Sequence, residues 1–129
     1  MPPLSDCMRR DFIEAAPEDT LGEVAERMTA KNVGAVVVKD FGSLIGILTE
    51  RDLLKAMAAR VHSSEARVRQ WMTPDPVTAT ADTDAEEASR VMLERGFRHL
   101  PVLDEGGGVV GVVSLRRAVA AAQAADATV

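Results

Sequence analysis

The stretch GAVVVKDFGSLIGILT, residues 34–49, decides the fold. Residues 34–38 form a short β-branched run, residues 40–43 are turn formers and residues 44–48 form a second apolar run, so the spacing predicts a buried β-hairpin. The stretch RHLPVLDEGGGVVGVVS, residues 98–114, repeats that layout in other residues. Its strands are residues 98–103 and 109–113, and Pro101 points to a strand start or an edge, because proline brings no N–H to a ladder.

Each hairpin stands between two helical patterns. Leu21, Val24, Ala25 and Met28 fall at i, i+3, i+4 and i+7, the apolar stripe of an amphipathic helix, and Thr20 with Glu23 fits a capping box at its start. In the second half Thr83 or Asp84, each three places before a glutamate, predicts the matching helix start, with its end near Gly96. Helical patterns return after each hairpin. Over residues 50–60 Leu53 and Met57 share one face, with Leu54, Ala58 and Val61 on an adjoining one; residues 115–125 are rich in alanine. Residues 126–129 are expected to fray.

The two halves align. Met28 stands 64 places before Met92, and the same offset pairs Met8 with Met72, Ile13 with Val77, Val38 with Val102 and Asp40 with Asp104. One extra glycine in Gly106-Gly107-Gly108 moves the offset to 65, and Gly46-Ile-Leu-Thr49 then falls on Gly111-Val-Val-Ser114. The fold class is therefore α/β (α+β), with two helix-strand-strand-helix repeats over residues 1–62 and 72–129. Residues 63–71 join them as a helix begun by Ser63 and Ser64, and Trp71 is expected to plug the junction. A two- or three-stranded patch with helices on one side cannot enclose its own apolar face, so the repeats are expected to pack as a pseudo-two-fold pair.

Composition narrows function. The 129 residues carry a net charge of -5, with 8 basic and 10 acidic residues up to Ser64 and 7 and 10 beyond it, so neither half is a basic arm for nucleic acid or an anionic membrane. One Trp, three Phe and no Tyr are few rings for stacking on bases. The lone Cys7 excludes an intrachain disulfide and fits a reducing compartment. The N-terminus lacks a basic start followed by an apolar run, and no apolar stretch reaches 18 residues, so a cytoplasmic protein is expected. At this length no second large catalytic domain is expected.

Few motifs carry chemistry. Gly106-x-Gly108-x-x-Gly111 has the letters of a dinucleotide fingerprint, but it precedes a strand rather than opening a helix, so its glycines belong to the hairpin turn. His62, His99 and Cys7 are far apart in sequence, no CxxC or HExxH occurs, and Ser114 and His99 lack a third partner; neither a metal nor a catalytic role is expected. Thr49-Glu-Arg-Asp52, directly after a strand, is the most informative tetrapeptide. It reads as a capping box, in which the hydroxyl and carboxylate satisfy backbone N–H groups. It also reads as a ligand site, with helix-start donors and Thr49 for a phosphate and Asp52 for ribose hydroxyls. The second repeat has Ser114-Leu-Arg-Arg117, where the hydroxyl stays and the carboxylate becomes a cation.

The order Met72-Thr-Pro74, Val77, a helix to Met92, Gly96-Phe-Arg-His-Leu-Pro-Val102, Asp104 and Gly111-Val-Val-Ser114, preceded by the same layout from Met8 to Asp52, resembles a tandem pair of CBS domains, a Bateman module. The resemblance covers nearly the whole chain and implies two β-α-β-β-α repeats packed as a pseudo-two-fold pair. It implies a stand-alone regulatory module without required cofactor, binding an adenosine-containing ligand such as AMP, ADP, ATP, S-adenosylmethionine or NAD in a cleft between the repeats. It also implies a homodimer that signals to a regulated protein; a ligand-free dimerisation or scaffold module is the alternative. The family's hydroxyl-and-aspartate motif maps onto Thr49 and Asp52, with Arg51 as a phosphate candidate and Ile13, Gly34 and Ala35 lining the base. In the second cleft Val77, Thr78, Arg98, His99, Pro101 and Ser114 match, while Arg117 departs from the expected aspartate, which speaks against ribose recognition there and leaves a phosphate contact or a surface pairing with an acid.

Overall fold

Thr20 starts the first helix as its spacing predicts. In the computed structural model, which describes residues 2–127 and side chains to residue 125, Thr20 Oγ1 accepts the Glu23 N–H at 3.2 Å, while Glu23 Oε1 accepts the Thr20 hydroxyl at 2.8 Å and the Thr20 N–H at 3.3 Å. These bonds hold the Glu23 carboxyl below its ordinary value, the side-chain bond most and the backbone bond next. A depressed carboxylate contributes stability that is complete above the ordinary glutamate value and is lost as pH falls through the folded one. Thr20→Ala is expected to return the Glu23 titration toward the ordinary value, read by NMR, and to flatten the acid limb of the stability profile. Loss of the cap itself costs about 1 kcal/mol near neutral pH, read by denaturation.

The elements run β1 (Glu14–Ala15), α1 (Leu21–Lys31), β2 (Ala35–Asp40), β3 (Ser43–Thr49), α2 (Glu50–Ala58), α3 (Val68–Trp71) and β4 (Thr73–Pro74), followed by β5 (Ala79–Thr80), α4 (Ala85–Arg95), β6 (His99–Leu103), β7 (Val109–Ser114) and α5 (Leu115–Ala127). This is the β-α-β-β-α order twice over. Asn32 and Gly96, 64 apart, close α1 and α4 in the left-handed conformation. At the α4 start Asp84, not Thr83, caps the helix, accepting from Glu86 N at 3.2 Å; the Thr83 hydroxyl is taken by Thr80 N. The expected connecting helix is short. Ser63–Glu65 is a turn, because the Ser63 carbonyl is used by Gly22 N at 2.9 Å, and helix forms only at Val68–Trp71. Helix α5 reaches Ala127, past the residue where fraying was expected to begin; Thr128 and Val129 lie outside the described residues.

The sheets are β1-β2-β3-β4 and β5-β6-β7, each with an antiparallel hairpin and a parallel first strand. Pro101 stands within β6, not at its start. Val112, its partner, spends both backbone groups on Arg9 beyond the opposite edge of β7, so Pro101 and Val112 are a non-bonded pair. The missing N–H therefore faces the β5 side, where pairing begins only at Val102. In the second hairpin turn Asp104 N donates to the Gly108 carbonyl and Gly108 N donates to Asp104 Oδ1, both at 2.8 Å, which confirms the glycines as turn residues.

Chain order and compact units differ. Phe12–Pro76 packs as one unit, and the residues before Phe12 pack with those after Pro76 as the other. Each unit contains a strap, residues 2–9 in one and residues 66–73 in the other, and the two straps match bond for bond at the 64-residue offset. Leu4 N donates to the Thr83 carbonyl (2.8 Å) and Ser5 N to Ala81 (2.9 Å); Val68 N donates to Asp19 and Arg69 N to Pro17, each at 2.9 Å. Ala85 N, a donor that α4 leaves unpaired, reaches the Pro2 carbonyl at 2.9 Å, and Leu21 N of α1 reaches Ala66 at 3.0 Å. Arg9 then pairs with Val112, as Thr73 pairs with Ile47.

Each unit has its own core. Leu4, Cys7 and Met8 of one strap join Met92, Leu100, Val102 and Val113; Ala66 and Val68 of the other join Leu21, Val24, Met28, Val36, Val38 and Leu48. Helix α2 lies otherwise than its apolar pattern predicts. Asp52 and Ala56 are its buried residues, Leu53 is half-buried, and Leu54 and Met57 are 65% and 74% exposed. Asp52 is tied to the end of β3, and that tie sets the rotation of the helix.

Candidate functional site

Thr49 ends β3 and caps α2. Asp52 Oδ2 accepts the Thr49 N–H at 3.0 Å and the Thr49 hydroxyl at 3.1 Å, and Asp52 N donates back to Thr49 Oγ1 at 3.3 Å. The capping box is therefore present. A further contact comes from the strap: the Thr73 hydroxyl donates to Asp52 Oδ1 at 3.3 Å, with Oδ2 at 3.5 Å. Asp52 is 7% exposed, so its carboxylate is a nearly buried acceptor surrounded by hydroxyls. Glu50 N, the first donor of α2, is taken by the Gly34 carbonyl at 3.0 Å. With the Glu50 and Asp52 N–H groups already paired, the polar function of the site rests on the carboxylate rather than on the helix end.

The β2–β3 register places Ala35 opposite Thr49, so Gly34, Ala35, Thr49 and Asp52 converge at one end of the hairpin. Ile13 is half-buried against the same core, and its carbonyl accepts from Val37 N at 3.2 Å. Arg51 is exposed in the first turn of α2. Thr73 is the residue that motif spacing missed. It lies 21 positions from Asp52, and its signal was its place after Met72 in the segment that aligns with Met8-Arg9.

The second unit repeats the geometry with different charge. His99 pairs with Ser114, the Arg98 carbonyl accepts from Leu115 N at 2.7 Å, and Ser114 Oγ accepts from Arg117 N at 3.2 Å. Pro101 is buried, His99 and Val77 are half-buried, and Thr78 is exposed just before β5. The offsets put Arg9 where the first unit has Thr73, Arg98 at Gly34, Arg116 at Arg51 and Arg117 at Asp52. Arg98, Arg116 and Arg117 are exposed, with no side-chain hydrogen bond or ion pair among the described residues. Where α2 has Glu50 and Asp52 in its first turn, α5 has no acid there. Cys7, on the strap, is pushed above the ordinary thiol value by burial, an effect that the Arg117 charge opposes. Among the described residues no group of three or more His, Cys, Asp or Glu is placed to hold a metal, and no helix is long and apolar enough to cross a membrane.

Comparison with known proteins agrees with this geometry. The CBS domain family matches twice, over residues 4–59 and 68–124. An uncharacterized protein of Acidianus ambivalens is 40% identical over 101 residues, 78% of this chain and 60% of its own. The CBS domain-containing protein YhcV of Bacillus subtilis is 31% identical, over 89% of this chain and 81% of its own. The chain spans 60%, 59% and 40% of the length of its relatives in Acidianus ambivalens, Methanopyrus kandleri and Methanocaldococcus jannaschii. Among solved structures, a CBS-domain containing protein from Agrobacterium tumefaciens superposes with a TM-score of 0.80 at 36% identity, over 88% of this chain and 90% of that one. CBSX2, solved in complex with AMP, superposes with a TM-score of 0.78 at 26% identity, over 98% and 99%. Two family matches in tandem, on two hairpins that end in the same hydroxyl-capped helix, make the chain a member of the CBS domain family, a Bateman module.

Proposed function

We propose that the protein is a regulatory module that binds an adenosine-containing ligand at Thr49 and Asp52 and, as a homodimer, passes its occupancy to a partner protein. The observation that carries the reading is the nearly buried Asp52 carboxylate, which already accepts from the Thr49 and Thr73 hydroxyls. A ribose diol presents the same donors and replaces the Thr73 contact without leaving the carboxylate unpaired. Gly34, Ala35 and Ile13 offer backbone and apolar surface for the base. The AMP complex of CBSX2 supports the choice of ligand class. In the other unit Arg98, Arg116 and Arg117, unpaired among the described residues, favour a phosphate over a ribose, since guanidinium groups donate and never accept. AMP, ADP and ATP accordingly fit the pair of sites better than S-adenosylmethionine. Occupancy regulates by favouring one arrangement of the chain over another.

Calorimetric titration with AMP, ATP, S-adenosylmethionine and NAD tests this. Asp52→Ala is expected to weaken the preferred ligand by about 10- to 100-fold, the worth of hydrogen bonds to a charged acceptor. Asp52→Asn keeps acceptor and cap and separates binding from folding. No heat with any of the four ligands, or binding indifferent to Asp52→Ala, sinks the reading and leaves a dimerisation scaffold.

A further inference from the structure

Trp71, the only tryptophan of the chain, occupies the strap position whose counterpart 64 places earlier is Cys7. Cys7 is 8% exposed, so the position suits a small side chain; the larger indole stays half-buried and opens onto the surface. Around it Val61, His62, Glu65, Ala66 and Gln70 line an open depression of about 430 Å³ within the Phe12–Pro76 unit. A tight turn builds its rim, with Glu65 N and Ala66 N both donating to the His62 carbonyl at 3.0 and 2.8 Å. Gln70 Oε1 accepts from Arg67 N at 2.9 Å. The neighbouring cations are turned elsewhere: Arg67 Nη1 donates to the Glu18 carbonyl at 2.9 Å, and Arg69 Nε pairs with the Glu18 carboxylate at 2.7 Å. Among the described residues the Glu65 carboxylate has neither ion pair nor hydrogen bond.

An aromatic ring, an uncompensated carboxylate and the apolar flanks of Val61 and Ala66 together suit one ligand chemistry. A cation gains from the ring quadrupole and from Glu65, an anion is repelled by Glu65, and a wholly apolar ligand desolvates the carboxylate without pairing it. We propose that this depression binds a small organic cation, a quaternary ammonium or guanidinium compound, against Trp71 and Glu65. It shares no residue with the Thr49–Asp52 site, and the two proposals stand or fall separately.

Tryptophan fluorescence of the full chain reports Trp71 alone. Choline added at constant ionic strength is expected to give a saturable change, half-complete in the millimolar range, and its uncharged isostere 3,3-dimethyl-1-butanol is expected to give none. Glu65→Gln, at an exposed position, is expected to raise the half-saturation concentration by about fivefold or more. A response to the neutral isostere equal to that for choline, a response to choline that does not saturate, or an unchanged choline response in Glu65→Gln overturns the proposal.

Discussion

Leu4→Ala is expected to cost about 2–5 kcal/mol, the range for emptying a buried leucine site, and to loosen the unit that holds the second repeat. Leu4 is 0% exposed and packs into that core with Met92, Leu100 and Val102, far from its own repeat in sequence. It also sits on the strap that feeds the Pro2 carbonyl to α4 and the Arg9 backbone to β7, so the cavity opens where the strap must stay closed. Cys7 reads the effect directly. Burial shields its sulfur and raises the thiol above its ordinary value, and opening of the strap releases it. Alkylation of Cys7 under native conditions is expected to accelerate more than about tenfold in Leu4→Ala, as local opening becomes cheaper. Val68→Ala, the equivalent truncation in the other strap, is expected to destabilise the Phe12–Pro76 core and leave Cys7 protected. Equal acceleration by both variants contradicts the exchange of straps.

Gly46→Ala is expected to cost about 1–3 kcal/mol by overpacking. A Cβ there meets Met72 Sδ at 2.6 Å and the Thr73 carbonyl at 2.9 Å. Gly111→Ala meets Met8 Sδ at 2.7 Å and Cγ at 2.8 Å, with the Arg9 carbonyl at 3.2 Å. A methionine end moves aside readily and a backbone carbonyl does not, so Gly46→Ala is expected to be the worse of the two. A double-mutant cycle separates the causes. Met8→Ala is expected to relieve most of the Gly111→Ala clash, while Met72→Ala relieves less of the Gly46→Ala clash. Because the displaced Thr73 also contacts Asp52, Gly46→Ala is expected to weaken ligand binding as well. Denaturation midpoints and calorimetry on the wild type, the four single variants and the two double variants check both statements.

These glycines show why the repeat was legible and its purpose was not. Met8 with Met72 and Gly46 with Gly111 align along the chain, yet nothing in the spacing says that Met8 packs on Gly111 and Met72 on Gly46. A strand glycine marks a close approach without naming what approaches. The site divides in the same way. Thr49 and Asp52 are three positions apart, and their bonds follow from helix geometry; the Thr73 hydroxyl arrives from another element.

Local order along the chain determined the elements of this protein: short apolar runs rich in β-branched residues made the hairpins, Thr20 and Thr49 with acids three places on made the helix starts, and Asn32 and Gly96 made the helix ends. The same order, repeated, determined that there are two such units. Tertiary structure alone decided which strap completes which unit, which way α2 turns its faces, and that the Asp52 carboxylate is enclosed. The reason is physical. Periods and caps are set by neighbours within a turn or two, whereas the donors at the starts of α1 and α4 and the open edges of β3 and β7 accept whatever backbone folding brings to them, and chain spacing does not encode that meeting.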